Sequence, residues 1–230
     1  FRSEAMARGR RRSDRLAGMA SEIPSQRKRI RKAPEERRRE ILDAAVRLIS
    51  ERGYNGISIQ DVADAVGVTK QGVLRYIGSK DNLLAMVYLE NYNVTGNVDD
   101  FMASGSPGGD PGDLRLPAYL RFLVRHNSRR RMMVQLFSVL QVESFNPSHP
   151  LHNEFANRQE SIWRYYSGFD WLIPPEFASF EEGRPTVRRA LAIMDGVQLR
   201  WLRDPPIDLY DEWCELESMI FPSPVWDRYR

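Results

Sequence analysis

The 230-residue sequence contains a single cysteine, Cys214, and only three histidines. One cysteine excludes a disulfide within the chain and fits a reducing compartment such as the cytoplasm. No apolar run approaches the roughly 18 residues that a membrane-spanning helix requires, so no membrane partner is expected. The N-terminal residues also lack the apolar segment of a secretory signal peptide, so export is not expected. These absences predict a cytoplasmic protein.

Few residues combine into a pattern that would support catalysis. His149 and His152 are close in sequence, but two imidazoles alone leave a zinc site underfilled. Cys214 has no evident histidine partner for nucleophilic chemistry. The sequence also lacks a phosphate-binding loop, a serine nucleophile elbow and a dinucleotide fingerprint. We therefore predict a protein that is not an enzyme and has no cofactor or metal, with a small helical enzyme left as an alternative.

Charge is distributed unevenly along the chain, although the net charge is only +3. Residues 1–39 contain 14 Lys and Arg against 5 Asp and Glu, whereas the remainder contains 20 against 26. Residues 1–33 also lack apolar periodicity, which predicts a disordered basic arm. Such an arm could follow DNA phosphates or enter a minor groove, or it could be a solvated tail. A basic end on an acidic body suits a protein that meets nucleic acid at one end.

Residues 58–80, SIQDVADAVGVTKQGVLRYIGSK, form the strongest local pattern in the sequence. Ser58 can cap a first short helix, and Asp61 stands where a capping box places its acid. Gly67 suits the left-handed residue that ends this helix, and Thr69 can cap a second one. Apolar residues recur at helical spacing in both segments. The pattern predicts a helix-turn-helix, although two short amphipathic helices could also be packing units of another helical bundle.

Residues 39–89, which contain this run, resemble the DNA-binding signature of TetR-type (TetR/AcrR) transcriptional regulators. The matching pieces include Gly53-Tyr54, Gly67-Val68-Thr69 and Ser79-Lys80. The resemblance implies a bacterial, nucleoid-associated repressor that binds a palindromic operator in double-stranded DNA as a homodimer. It further implies release from DNA by a small organic effector. An architectural DNA-binding protein without an effector is left open as the alternative.

Helical periodicity continues to the C-terminus without a strand signal, so we predict an all-α protein. An N-terminal three-helix helix-turn-helix domain over residues 34–80 would precede a larger helical effector and dimerisation domain over residues 81–230. A loop is expected over residues 96–112, where glycine and proline are frequent. A single helix is expected over residues 150–169.

The predicted DNA contacts lie on the second helix of the motif and around it. Lys70, Gln71 and Gly72 are expected to approach the bases, with glutamine pairing to adenine and lysine to guanine or a phosphate. Arg75 and Tyr76 would reach bases or phosphates. The remaining predicted contacts, most of them to the DNA backbone, are Ser58, Ile59, Gln60, Thr69 and Lys80.

Residues 190–205, ALAIMDGVQLRWLRDP, are similar to a penultimate helix common in TetR-type effector domains. In that family the last two long helices pair with the same helices of a second subunit. Small side chains in this segment would permit close helix approach, and larger apolar ones would add buried area. An ordinary buried core helix is the alternative. The predicted subunit interface comprises Ala190, Ile193, Met194, Gly196, Val197, Trp201 and Trp213.

The resemblance also implies an effector cavity between the dimer helices and the DNA-binding domain. Mostly apolar walls with a few polar groups would suit a small organic ligand. For any single residue of the set, a place in the protein core is the alternative. The candidate lining residues are Phe122, Met133, Phe137, Leu140, Trp163, Tyr166 and Trp201.

Overall fold

Helices make up the regular structure of the chain in a computed structural model that describes residues 33–92 and 95–230. Within these ranges the only β contact is an isolated bridge between Leu114 and Trp171, so the predicted all-α class is confirmed. The same ranges hold no helix that is both long and apolar enough to cross a bilayer. The predicted basic arm lies outside the described residues, except for Ala33.

The first four helices begin where local capping chemistry places them. Pro34 suits the first turn of its helix, because a residue there has no intrahelical partner for an N–H. The next three helices each start after a hydroxyl residue, Ser58, Thr69 or Ser79, whose oxygen accepts a backbone N–H three positions on, as predicted for the first two. A π-helical turn over Tyr88–Tyr92 prolongs the fourth helix. These helices are α1 (Pro34–Arg52), α2 (Ile59–Val66), α3 (Lys70–Ile77) and α4 (Lys80–Val87).

Seven further α-helices follow in the described part of the chain. The longest is the tenth, whose N-terminus is preceded by a 3₁₀ turn over Phe180–Gly183. Another 3₁₀ turn covers Asp227–Tyr229. The helices are α5 (Val98–Ala103), α6 (Leu116–Ser128), α7 (Arg131–Glu143), α8 (His152–Ala156), α9 (Arg158–Tyr166), α10 (Arg184–Arg203) and α11 (Leu209–Ile220).

Two elements differ from the sequence-based expectation. The helix α5 lies inside the expected loop, because Asn97 caps it and its residues Val98 and Phe101 are fully buried. Six residues are too few for helical periodicity to stand out in a sequence. The single helix expected over residues 150–169 is divided at Asn157, where φ −94° and ψ 0° interrupt the helical path.

Two apolar clusters form the core of residues 34–230, which make one compact unit. The N-terminal cluster is built on α1 to α4 and also takes in Leu136 and Leu140 of α7. The C-terminal cluster contains the buried side chains of α5, α6, α9, α10 and α11. Helix α7 packs against α1, so the helix-turn-helix shares its core with a later part of the chain. The domain boundary after residue 80 stays a prediction.

Candidate nucleic-acid interface and internal cavity

Local contacts build the turn between α2 and α3. Ser58 Oγ accepts the Asp61 N–H at 3.2 Å, and the Asp61 carboxylate accepts the Ser58 N–H at 2.7 Å, which completes a capping box. The hydrogen bonds from Ser58 lower the pKa of Asp61 below its usual value. Gly67 ends α2 with φ +70°, and the Val68 N–H returns to the Ala63 carbonyl. The turn thus forms from residues that are neighbours in sequence.

The helix α3 has one buried and one polar, exposed face. Val73 and Ile77 are almost completely buried in the N-terminal cluster. Lys70, Gln71 and Arg75 are exposed. A helix that follows a tight turn and exposes basic and amide side chains has the form of a recognition helix that enters a major groove.

The first turn of α3 is closely packed around Gly72. The Thr69 hydroxyl accepts the Gly72 N–H at 3.1 Å. A Cβ at position 72 would lie 3.2 Å from that hydroxyl oxygen, so glycine leaves room for the cap. Tyr76, one turn later, is half-buried and lies 5.6 Å from the Arg75 guanidinium, measured to the ring centre. The role of Gly72 is therefore at least partly one of local packing.

The flanking residues predicted to contact DNA divide into exposed and buried ones. Ser58, Gln60 and Thr69 are exposed, and Gln60 Nε2 donates to Asp64 Oδ1 at 2.7 Å. Ile59, in contrast, is only 7% exposed and belongs to the N-terminal cluster. As the first apolar residue of α2 it faces the core, so its side chain is not available to DNA.

Tyr54 holds Lys80 in place at the start of α4. Lys80 Nζ lies 4.2 Å from the centre of the Tyr54 ring, a cation–π distance. The Tyr54 hydroxyl donates to the Asp81 carboxylate, and His149 packs edge-on against the ring with centroids 5.4 Å apart. Burial, with the bond to Asp81, raises the pKa of Tyr54 above its usual value. The only sequence signal for this arrangement is the Gly53-Tyr54 pair in the family pattern.

A carboxylate from α7 holds the backbone that leads into α2. Glu143 accepts the Tyr54 N–H at 2.7 Å through Oε2 and the Asn55 N–H at 3.2 Å through Oε1. Gly53 has φ +76°, and a Cβ there would lie 2.4 Å from Glu143 Oε1. Glycine therefore suits the left-handed backbone conformation, and a side chain there would displace the Glu143 carboxylate from its present position. Through this contact the C-terminal helices are joined directly to the start of the helix-turn-helix.

A cavity of about 420 Å³ lies among α6, α7, α9 and α10. This volume falls within the range of roughly 300–1,000 Å³ that is usual for small-molecule sites. Tyr88, beyond the end of α4, and the residues before α5 also line it, so the cavity reaches the connection between the DNA-binding helices and the rest. Of the predicted lining residues, the structure places Met133 and Tyr166 in its wall.

The other predicted lining residues lie elsewhere. Leu140 belongs to the N-terminal cluster, and Trp163 and Trp201 belong to the C-terminal cluster. Phe137 is 2% exposed and is not part of the cavity wall. Phe122 lines a second cavity. Helical periodicity shows which residues face inward, but it does not show where the facing helices leave space between them.

The wall of the first cavity is more polar than the sequence predicts. Arg158 Nη1 lies 3.6 Å from Asp195 Oδ2. Burial raises the pKa of Asp195, and the neighbouring Arg158 opposes this shift. Arg130 Nη1 lies 2.8 Å from His126 Nε2. Burial raises the pKa of Tyr166 to about 12, so its hydroxyl offers a ligand a neutral hydrogen-bonding group.

Five of the seven residues predicted for a subunit interface are buried inside the chain itself. They belong to the C-terminal cluster, because the inner side of α10 and, for Trp213, that of α11 pack on the protein's own core. Their burial therefore stabilises the single chain, and none of them offers a surface to a partner. The five residues are Ala190, Met194, Val197, Trp201 and Trp213.

The outer face of α10 consists of other residues. Gly196 is exposed, and a Cβ added there would meet no atom within 4 Å. Leu199 is 42% exposed and, on α11, Met219 is 70% exposed. Ile193 is half-buried. Small and apolar residues are thus accessible on each of the last two helices, and we call the exposed residues Gly196, Leu199 and Met219 the outer strip.

Residues 41–87 match the family described as bacterial regulatory proteins, tetR family. This match runs from within α1 to the end of α4, so it covers the whole helix-turn-helix described above. A curated relative, the HTH-type transcriptional regulator AcrR of Shigella flexneri, is 27% identical over 112 residues. The DNA-binding region of the chain is thus similar to that of TetR-family regulators. The match with AcrR covers 48% of this chain, which spans about half (52%) of the length of that relative.

Solved structures of transcriptional regulators share the fold over most of the chain. NalD, the secondary repressor of the MexAB-OprM multidrug efflux pump in Pseudomonas aeruginosa, superposes with a TM-score of 0.56 at 23% identity. The match covers 84% of this chain and 98% of NalD. The fatty acid degradation regulator FadR from Bacillus halodurans gives a TM-score of 0.53 at 19% identity, covering 86% and 99%. At these identities the similarity shows a common fold.

Proposed function

We propose that this chain is a TetR-type, ligand-responsive transcriptional repressor that binds a palindromic operator in double-stranded DNA as a homodimer. A small organic effector would release it, and the nucleoid of the cytoplasm would be its place of action. The observation that carries the proposal is α3, which exposes Lys70, Gln71 and Arg75 on a support fixed by the caps at Ser58 and Thr69.

On DNA, the exposed face of α3 would lie in the major groove. Gln71 can form a bidentate pair with adenine, and Lys70 can donate to guanine or to a phosphate. Lys80, held over the Tyr54 ring, would contact a phosphate near the N-terminus of α4, where free backbone N–H groups also favour an anion. The remaining proposed contacts are Ser58, Gln60, Thr69, Gly72, Arg75 and Tyr76.

A second subunit is part of the proposal, because one short recognition helix reads too few base pairs for useful specificity. Two recognition helices spaced about 34–36 Å apart read the two halves of a palindrome. A symmetric dimer requires one surface that pairs with its own copy. The outer strip of α10 and α11 offers accessible apolar area for such a contact.

The helix α7 provides a path from the cavity to the DNA-binding helices. Met133 and Val134 of α7 line the first cavity, and Glu143 at the end of the same helix binds the backbone at Tyr54 and Asn55. A ligand that displaces α7 would therefore shift the start of the helix-turn-helix. To change the ratio of released to DNA-binding conformations from 1:99 to 99:1, the ligand must favour the released conformation by about 5.5 kcal/mol.

Binding to selected duplexes tests the function. We expect the full chain to select a palindromic sequence from random DNA, and Gln71→Ala to reduce discrimination at one base pair by about 1–3 kcal/mol. Fluorescence anisotropy with single-base variants of the selected duplex, at one salt concentration, measures this difference. Gln159→Ala, at an exposed position of α9, is the matched control and should discriminate like the wild type. A wild-type chain with equal affinity for all duplexes would favour the architectural alternative.

A second variant tests the phosphate contact. We expect Lys80→Ala to weaken binding to every duplex alike, because a phosphate contact contains no sequence information. The slope of log affinity against log salt concentration should fall in magnitude by about 1. Anisotropy titrations at several salt concentrations measure the slope, with Arg164→Ala on the exposed side of α9 as the control. An unchanged slope would remove Lys80 from the phosphate contacts.

A further inference from the structure

A second cavity, of about 390 Å³, lies between α6, the segment around α5 and the start of α11. Among the residues that the structure describes, none that lines this cavity is Asp or Glu, whereas three acidic residues line the first cavity. Apolar surface is contributed by Phe101 and Phe122. The cavity is therefore concave, partly apolar and strongly basic. Its basic lining residues are Arg115, Arg121, Arg125, His126, Arg129 and Arg230.

The basic character comes mainly from one part of the sequence. Residues 114–142 contain six arginines and no Asp or Glu, although acidic residues outnumber basic ones over residues 40–230 by 26 to 20. Arg121, Arg125 and Arg129 recur every fourth residue, which places them along one side of α6 and its C-cap. Like charges at this spacing repel each other by about 0.2–0.5 kcal/mol per pair. Helix stability therefore does not account for the pattern.

Arg230 Nη2 lies 3.9 Å from Asp227 Oδ1, and two of the four lining arginines on α6 and its caps also have carboxylate partners. Arg121 Nε lies 2.9 and 2.8 Å from the two carboxylate oxygens of Glu217, which is buried. This pair joins α6 to α11. Arg115 donates from Nε to Asp113 Oδ1 at 2.8 Å and is close to Oδ2 as well. In both cases a carboxylate balances the positive charge of the arginine.

The other two arginines of α6 have no such partner. Arg125 and Arg129 form no ion pair with a carboxylate in residues 33–92 and 95–230, and both side chains are exposed. The Arg125 guanidinium lies 4.1 Å from the centre of the Tyr210 ring and donates to the Tyr210 hydroxyl. That contact orients the guanidinium but leaves its charge unbalanced. The cavity thus offers two uncompensated positive charges on planar groups with several N–H donors each.

We propose that this cavity binds a small metabolite that carries two or more oxyanion groups, either phosphates or carboxylates. Guanidinium groups match both oxyanions in geometry and form bidentate, charge-assisted hydrogen bonds with them. The rings of Phe101 and Phe122 would cover the carbon skeleton of the ligand. A concave site of this volume is suited to a small molecule, not to a macromolecule. The inference does not depend on DNA binding or on the proposed effector cavity.

The proposal is tested by calorimetric titration of the full chain with pyrophosphate and, separately, with citrate. Both titrations are made at the same ionic strength, adjusted with NaCl. We expect saturable binding of at least one of the two anions, and binding weaker by about tenfold or more for the double variant Arg125→Gln, Arg129→Gln. Arg164→Gln removes an exposed arginine of α9 that is not in the cavity wall, and it should keep the wild-type affinity. Pyrophosphate binding alone would identify phosphate as the recognised group, and citrate binding alone would identify carboxylate.

Equal anion affinities of the wild type and the double variant would overturn the proposal, because basic residues elsewhere would then account for the measured heat of binding. Failure of the wild-type chain to bind either anion would overturn it as well. A separate variant guards against a loss of fold. Arg129 forms no ion pair or side-chain hydrogen bond with the described residues, so we expect Arg129→Gln to leave the fold intact, and it must still lower the affinity.

Discussion

We expect Gly196→Arg to leave the chain folded and to abolish the proposed homodimer. Gly196 is exposed in α10, and a Cβ there meets nothing within 4 Å, so an arginine fits on the single chain without a clash. Replacing a glycine inside a helix also removes a penalty of about 0.5–1 kcal/mol. If the outer strip pairs with its own copy, two long charged side chains would hold the helices apart and would lose hydration without a partner.

Light scattering at micromolar concentration measures the dimer, and thermal unfolding measures the fold. Operator affinity should fall about 100-fold or more, because each chain would then read a half-site alone. Gln159→Arg places the same side chain on an exposed position of α9, so this variant should remain dimeric and keep the wild-type operator affinity. A dimeric Gly196→Arg protein would contradict the proposed interface, and a monomeric wild type would contradict the proposed homodimer.

The largest loss of stability is expected for Trp213→Ala. Trp213 is fully buried in the C-terminal cluster, on α11, which packs against both α10 and α6. Removing the indole leaves a cavity that three helices cannot close completely, and such a change typically costs about 3–5 kcal/mol. Urea denaturation at one protein concentration measures the free energy of unfolding, with the concentration fixed because a dimer adds to stability.

Trp213→Phe separates packing from hydrogen bonding at the same position. In the described part of the chain the buried Trp213 Nε1 has no hydrogen-bond partner. Phenylalanine therefore reduces the side-chain volume without removing a hydrogen bond. We therefore expect it to be clearly less destabilising than alanine. Equal losses for both variants would indicate that the indole N–H has a polar contact. If Trp213→Ala lowers the free energy of unfolding by less than about 1 kcal/mol, the effect would resemble that of a mild or surface substitution. Such a result would contradict the position of Trp213 in the core.

The helix-turn-helix is the part of the fold that sequence reasoning describes best. Its caps at Ser58 and Thr69 and its left-handed residue Gly67 act on atoms within four residues, so neighbouring residue types are sufficient to predict them. Periodicity likewise predicts that Lys70 and Gln71 are exposed, because the buried residues of α3 recur at helical spacing. The exposed and buried sides of this motif follow from the chain itself.

The interface predictions show where such reasoning ends. Small and large apolar residues on α10 suit a subunit interface and a core equally well, and the structure assigns Ala190, Val197 and Trp201 to the core. The same ambiguity affects Ile59, which is next to exposed residues in sequence but faces inward. Periodicity gives the direction of a side chain from its helix, and it contains no information on what lies opposite.

The sequence alone determined the all-α class, the recognition helix and its exposed polar side chains, because these depend on contacts within one or two helical turns. Only the tertiary structure decided which inward-facing residues line a cavity, which face of α10 stays accessible, and that Glu143 of α7 binds the backbone before α2. These features arise where helices from distant parts of the chain meet. The space and charge between them depend on how closely the helices pack, a distance that no local pattern encodes.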